Sequence, residues 1–121
     1  MKAKLLLMLL FTFSVNSYSQ SVSCDDLLEF IKTEGSYVSK VSSFTLDSEW
    51  LNEVTAYTYD GKYYVIAKIK KNKYSYSTNT YIFCGIPSRN WSSFKNGGYG
   101  ETDSYGSRFH AYIIDYTCNC D

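Results

Sequence analysis

The sequence holds one histidine, no net formal charge, and no apolar run that approaches the roughly 20 residues a membrane-spanning helix needs. Each scarcity excludes something. With 12 basic side chains against 12 acidic ones, the charge balance argues against nonspecific binding to nucleic acid as the main role. A lone imidazole, His110, leaves one candidate base for activating a nucleophile. Ser107 lies three residues before it and Asp103 seven before, so all three share a helical face, but neighbours on one helix do not form a triad. The carboxylate pairs Glu49 with Glu53 and Glu101 with Asp103 have the spacing of any solvated turn or helix edge. There is no phosphate-cradling glycine loop followed by lysine, no helical repeat and no low-complexity tract. No cofactor is expected.

The amino end has three parts. Lys2 and Lys4 precede an apolar stretch from Leu5 to Phe13, and a polar segment follows from Ser14 to Gln20. This is the layout of a secretory signal, with Ser17 and Ser19 at the small-residue positions of a peptidase site, so residues 1–19 are expected to be removed between Ser19 and Gln20. The mature chain, 20–121, then forms one domain of about one hundred residues without a membrane span, exported to the periplasm or secreted. Loss of Lys2 and Lys4 leaves it slightly acidic.

Four cysteines, Cys24, Cys84, Cys118 and Cys120, fit such a compartment, where thiols oxidise to disulfides. A bridge between Cys118 and Cys120 would close a strained ring, which leaves two long-range pairings. Metal ligation is not expected, because Cys-x-Cys with one distant cysteine and a lone histidine departs from zinc spacing.

Aromatic side chains make up 18% of the residues, and 13 of them are tyrosine. Tyrosine offers apolar area and a hydroxyl together, suited either to a wide core whose edges touch water or to a stacking surface for sugars, peptides or wall polymers.

The pattern along the chain is that of an α+β domain. Asp25 to Gly35 has acidic residues at its start, apolar residues at helical spacing and a glycine stop, and predicts an N-terminal helix of about ten residues. Ser36 to Leu46 reads as extended with no clear register. Val54 to Tyr59 and Tyr63 to Lys70 flank Asp60-Gly61 and predict a central hairpin, with Lys68 and Lys70 on a solvated side. Thr80 to Ile86 supplies a third strand that ends at Pro87. Two short C-terminal helices follow, one from Ser88 past Trp91 and Phe94 to the Asn96-Gly97-Gly98 stop, the other within Ser104 to Tyr116. The expectation is one helix, a three-stranded antiparallel sheet, two helices and a cysteine-bearing tail.

The hairpin Tyr57-Thr58-Tyr59-Asp60-Gly61, the strand Tyr81-Ile82-Phe83-Cys84-Gly85-Ile86-Pro87 and the later Ser104-Tyr105-Gly106-Ser107-Arg108-Phe109 with Ile113 stand in the order found in the KTSC domain. The chain resembles that family over about 53–116. Tyr81-Ile82-Phe83 occupies the place of the family's Tyr-x-Tyr and Ile86-Pro87 that of its Val-Pro step, while an insertion around Asn96 to Asp103 and the cysteines depart from its pattern. The resemblance implies a fold, and with it an RNA-binding role that belongs to a cytoplasmic setting. Such a role would use Tyr81 and Phe83 as a base-stacking platform beside Lys68, Lys70, Lys71 and Lys73.

The candidate binding surface is the glycine-rich region 97–106 with its aromatic border: Trp91, Tyr99 and Tyr105 to stack, and Arg108 to donate a bidentate pair. The functional expectation is a non-catalytic binding or structural module of the cell envelope or extracellular space. A small secreted enzyme using His110 and a KTSC-like nucleic-acid binder are the alternatives.

Overall fold

The first helix, α1 (Cys24–Glu34), forms where its ends are satisfied: the Ser23 hydroxyl accepts from the Asp26 N–H at 3.0 Å, and Asp25 and Asp26 lie at the positive end of the helix dipole. Its apolar stripe buries Leu28 and Ile31. The stop at Gly35 is a matter of space, because a Cβ there would lie 2.6 Å from the Ile31 carbonyl oxygen that accepts the Gly35 N–H. The structure, a computed structural model, describes residues 22–97 and 104–120, so the expected signal peptide 1–19 and Tyr99 lie outside the described residues.

After α1 come β1 (Ser36–Ser42), the single turn α2 (Ser43–Leu46), β2 (Leu51–Tyr59), β3 (Lys62–Lys70), β4 (Thr78–Ile86), α3 (Ser88–Asn96) and α4 (Tyr105–Tyr112). The strands form one antiparallel sheet in the order β1-β2-β3-β4. The α+β class holds, and the predicted hairpin pairs as expected, Ala56 with Val65 and Tyr57 with Tyr64. Asp60 and Gly61 both take positive φ, 53° and 76°, the two-residue turn whose twist matches that of the flanking strands.

Three strands is one too few. The stretch of uncertain register, Ser36–Ser42, is a fourth strand on the β2 edge, and Val38 is extruded as a bulge between the pairs Tyr37 with Tyr57 and Ser39 with Ala56. A bulge moves later side chains to the opposite face, so the alternation that would have marked the strand is broken in the middle. Only Val41 of β1 is buried. The last helix is also shorter than the 104–116 segment: it ends at Tyr112, and the tail is drawn back to β4, where Tyr116 C=O accepts the Cys84 N–H at 2.8 Å.

Both faces of the sheet are covered. One face carries Val41, Val54, Ala56, Val65, Ala67 and Phe83 and packs against Trp91 and Phe94 of α3 and Phe109 of α4, with Ile113 beyond. This is an aromatic core: the Phe109 ring lies 5.4 Å from Phe83, 5.9 Å from Phe94 and 5.7 Å from Trp50, in edge-to-face arrangements. The other face carries Ile66 and Ile82, on which α1 lays Leu28 and Ile31. The side of β3 expected to be solvated because of its lysines is therefore half roofed by a helix. Thr55, Ile66 and Ile82 are aligned across three strands on that face, and all are buried. Among the described residues no helix is long and apolar enough to cross a membrane.

Candidate functional site

Two disulfides settle the pairing, Cys24 with Cys120 and Cys84 with Cys118. Thr117 bridges Phe83 as a short antiparallel continuation of the sheet, which sets Cys118 beside Cys84. Two residues on, Cys120 meets the first residue of α1. The start of α1, β4 and the carboxyl tail are thus fixed to one another around the α1 face of the sheet.

A groove of about 400 Å³ opens on that face. Its helix wall is Asp25, Glu29 and Lys32, its sheet wall is Glu53, Thr55, Lys68 and Thr80, and its floor is Leu28, Tyr57 and Ile66. Glu53 sits between two ammonium groups, Lys68 at 3.7 Å and Lys40 at 4.0 Å, brought there by antiparallel pairing with the strands on either side. Lys32 and Glu29 pair at 3.9 Å on the helix wall. The groove presents charges of both signs with hydroxyls over an apolar floor, which suits recognition of a polar ligand with both donors and acceptors.

A second depression of about 230 Å³ adjoins the first and shares Asp25, Leu28 and Thr80 with it. It runs beside β4 from Thr80 to Phe83 and is closed by Thr117 and by sulfurs of both bridges. At the hairpin end the same face carries the exposed rings of Phe30 and Tyr59, 5.0 Å apart, and the exposed ring of Tyr37 lies 6.2 Å from the half-buried Tyr57.

The residues singled out in the sequence lie elsewhere. Trp91 is 4% exposed and its indole N–H donates to the Ser39 hydroxyl at 3.0 Å, so the ring is a core plate and not a stacking surface. Arg108 is 8% exposed; its Nε–H donates to the Phe94 carbonyl at 2.9 Å, and its guanidinium lies over the Tyr105 ring at 4.3 Å. The Tyr105 hydroxyl donates to Lys95 C=O at 3.2 Å. Trp91, Tyr105 and Arg108 are brought together after all, but they join α3 to α4 and the sheet. Burial of Arg108 closes the end of α3, whose last carbonyls have no partner within the helix.

His110 is exposed on α4 with its ring 5.3 Å from that of Trp50, on the side of the sheet away from the groove. The Ser107 hydroxyl is 3.3 Å from that of Ser104. Glu49 pairs with Lys73 at 3.9 Å and Glu53 with its two lysines, while Glu101 and Asp103 lie outside the described residues. No three His, Cys, Asp or Glu side chains among the described residues are grouped to hold a metal. Compared with known proteins, the chain matches no family model, no curated sequence and no solved structure.

Proposed function

We propose that the protein is an exported, non-catalytic binding module of the cell envelope or extracellular space, and that it holds its ligand on the α1 face of the sheet. The observation that carries this reading is an open groove between α1 and the sheet whose helix is tied to β4 through the tail by two disulfides. The bridges tie the start of α1 to β4 before any ligand arrives, which lowers the ordering cost of binding. They also favour an oxidising compartment, in keeping with the signal-like residues 1–19.

The nucleic-acid role implied by the KTSC resemblance draws less support from the geometry. Phe83 lies under the Phe109 ring in the core, so Tyr81 and Phe83 do not offer two open faces for stacked bases. The motif residues shared with that family serve the hairpin turn, β4 and the start of α4.

The reading is tested in two steps. Intact mass and nonreducing peptide mapping of protein from fractionated cells should give a chain that starts at Gln20 with both bridges formed. A full-length cytoplasmic chain with free thiols would remove the export claim. The mature domain, Glu53→Gln with Lys68→Gln, and His110→Ala are then probed on glycan and peptide arrays. The double variant should lose the signals that wild type and His110→Ala retain. Equal signals from a double variant with an unchanged unfolding midpoint would refute the site.

A further inference from the structure

We infer that the groove takes a short peptide with both ends free, its carboxylate held against Lys40, Thr55 and Lys68 of the sheet and its ammonium against Asp25 and Glu29 of α1. The inference rests on the reading of the α1 face as the ligand-bearing face, and it supplies the chemical class of the ligand.

Thr55 is the first sign of a ligand. It is 6% exposed and lines the groove, and among the described residues its side-chain hydroxyl has no hydrogen-bond partner. Buried hydroxyls are ordinarily satisfied, so one that is not marks a place where a bond remains to be made. The register sets its surroundings. Thr55 stands opposite Lys40 on one side and Ile66 on the other, and Glu53, two residues before it on the same strand, stands opposite Lys68. The hydroxyl therefore lies beside a cluster of two ammonium groups and one carboxylate.

The two walls carry opposite net charge. On the sheet wall Glu53 pairs with Lys68 at 3.7 Å and with Lys40 at 4.0 Å, so two positive charges share one negative charge and one positive is left over. On the helix wall Lys32 pairs with Glu29 at 3.9 Å, which leaves the charge of Asp25. Asp25, Glu29 and Lys32 follow one another at steps of four and three residues, along one flank of α1. Each ion pair at the groove lies within a wall, and among the described residues none crosses from wall to wall. A carboxylate on the sheet wall meets the surplus positive charge and the Thr55 hydroxyl, and an ammonium on the helix wall meets the surplus negative charge.

The separation of the walls sets the kind of zwitterion. Opposite charges that do not reach each other directly are bridged by a ligand whose own charges stand apart. In a free amino acid the ammonium and the carboxylate share one carbon, whereas in a dipeptide or tripeptide a stretch of backbone lies between them. The volume of about 400 Å³ is that of a small-molecule pocket, and the floor of Leu28, Tyr57 and Ile66 takes an apolar side chain of the peptide. A neutral sugar would draw hydrogen bonds from the same walls and nothing from their opposite net charges. A polyanion would meet Asp25 and Glu29 with like charge.

The test uses the oxidised mature chain with alanyl-leucine and alanyl-leucyl-alanine, each in four forms: free at both ends, N-acetylated, C-amidated, and capped at both ends. Binding is followed by NMR through the backbone amide shifts of the chain. The free forms should move the amides of Glu29, Thr55 and Lys68 and bind at least about tenfold more tightly than any capped form. Lys68→Gln should remove the advantage of a free carboxylate and keep that of a free amine. Asp25→Asn with Glu29→Gln should do the reverse, and amide shifts away from the groove report that each variant keeps the fold. Equal binding of all four forms within the groove would overturn the inference and leave the groove as the site. Shifts confined to another surface, or none with millimolar free peptide, would also overturn it, and the groove would then be judged by its array signals alone.

Discussion

Replacing Cys24 and Cys120 together by serine opens the outer of two nested loops. That bridge joins residues 96 apart and encloses the inner one, whose cysteines are 34 apart. With the inner bridge intact, the shortest covalent path between the two positions runs from 24 to 84, across to 118 and on to 120, about 62 residues. In the chain-entropy description a closed loop of that length stabilises by about 4.3 kcal/mol at 25 °C, against about 4.7 kcal/mol without the shortcut. Little is lost on the native side, since α1 keeps its Ser23 cap and the burial of Leu28 and Ile31. A loss of this size is a large share of the roughly 5 to 15 kcal/mol that hold a small domain folded. Urea unfolding of the oxidised proteins, followed by circular dichroism, should show a drop of about 3 to 5 kcal/mol, with a slightly larger m-value because the less constrained unfolded chain exposes more surface. Cys84→Ser with Cys118→Ser opens the shorter loop and should cost less, about 3 to 4 kcal/mol. A drop below about 1.5 kcal/mol for the outer pair, with m unchanged, would refute the unfolded-state argument and assign the docking of α1 to its apolar contacts alone.

Three substitutions test the packing. Trp91→Phe removes the indole donor to Ser39 and part of a buried ring, and should lower stability by about 1 to 3 kcal/mol in the same unfolding assay. Arg108→Met keeps the aliphatic stem but leaves the Phe94 carbonyl without the Nε–H, and should cost about 1 to 3 kcal/mol by thermal or urea unfolding; a neutral result would show that water replaces the bond. Gly106→Ala sets a methyl 2.9 Å from Nε1 of Trp50, so the indole must shift. It should cost about 1 to 3 kcal/mol and change the tryptophan emission, and an unchanged spectrum would refute the close approach.

What was legible in the sequence were the features whose chemistry is local. Asp60-Gly61 specified its hairpin because both residues accept positive φ, and Asn96-Gly97 marked the end of α3 because Gly97, at φ 93°, takes the left-handed cap. The hidden features depend on what lies opposite. Val38 breaks the period of β1, so the fourth strand shows only in its pairing with β2. Lys68 marked a wet face, yet Ile66 two residues before it is the footing on which α1 rests. Trp91 and Arg108 look like surface contacts in the sequence, because nothing near them reveals that Ser39 and the Phe94 carbonyl await their N–H groups. The groove is hidden for the same reason: its lining comes from α1 and three strands, and only the residue register brings Lys40, Glu53 and Lys68 side by side.

The bond between Cys24 and Cys120 has a mechanical consequence. Tension that enters the chain before Cys24 and leaves after Cys120 passes through one covalent link, and the sheet, both helical layers and the groove lie off the load path. In the oxidised state the domain can be pulled from both sides without losing the shape of its ligand-bearing face. Reduction transfers the same load to α1 and to the tail on β4, the two elements that wall the depression.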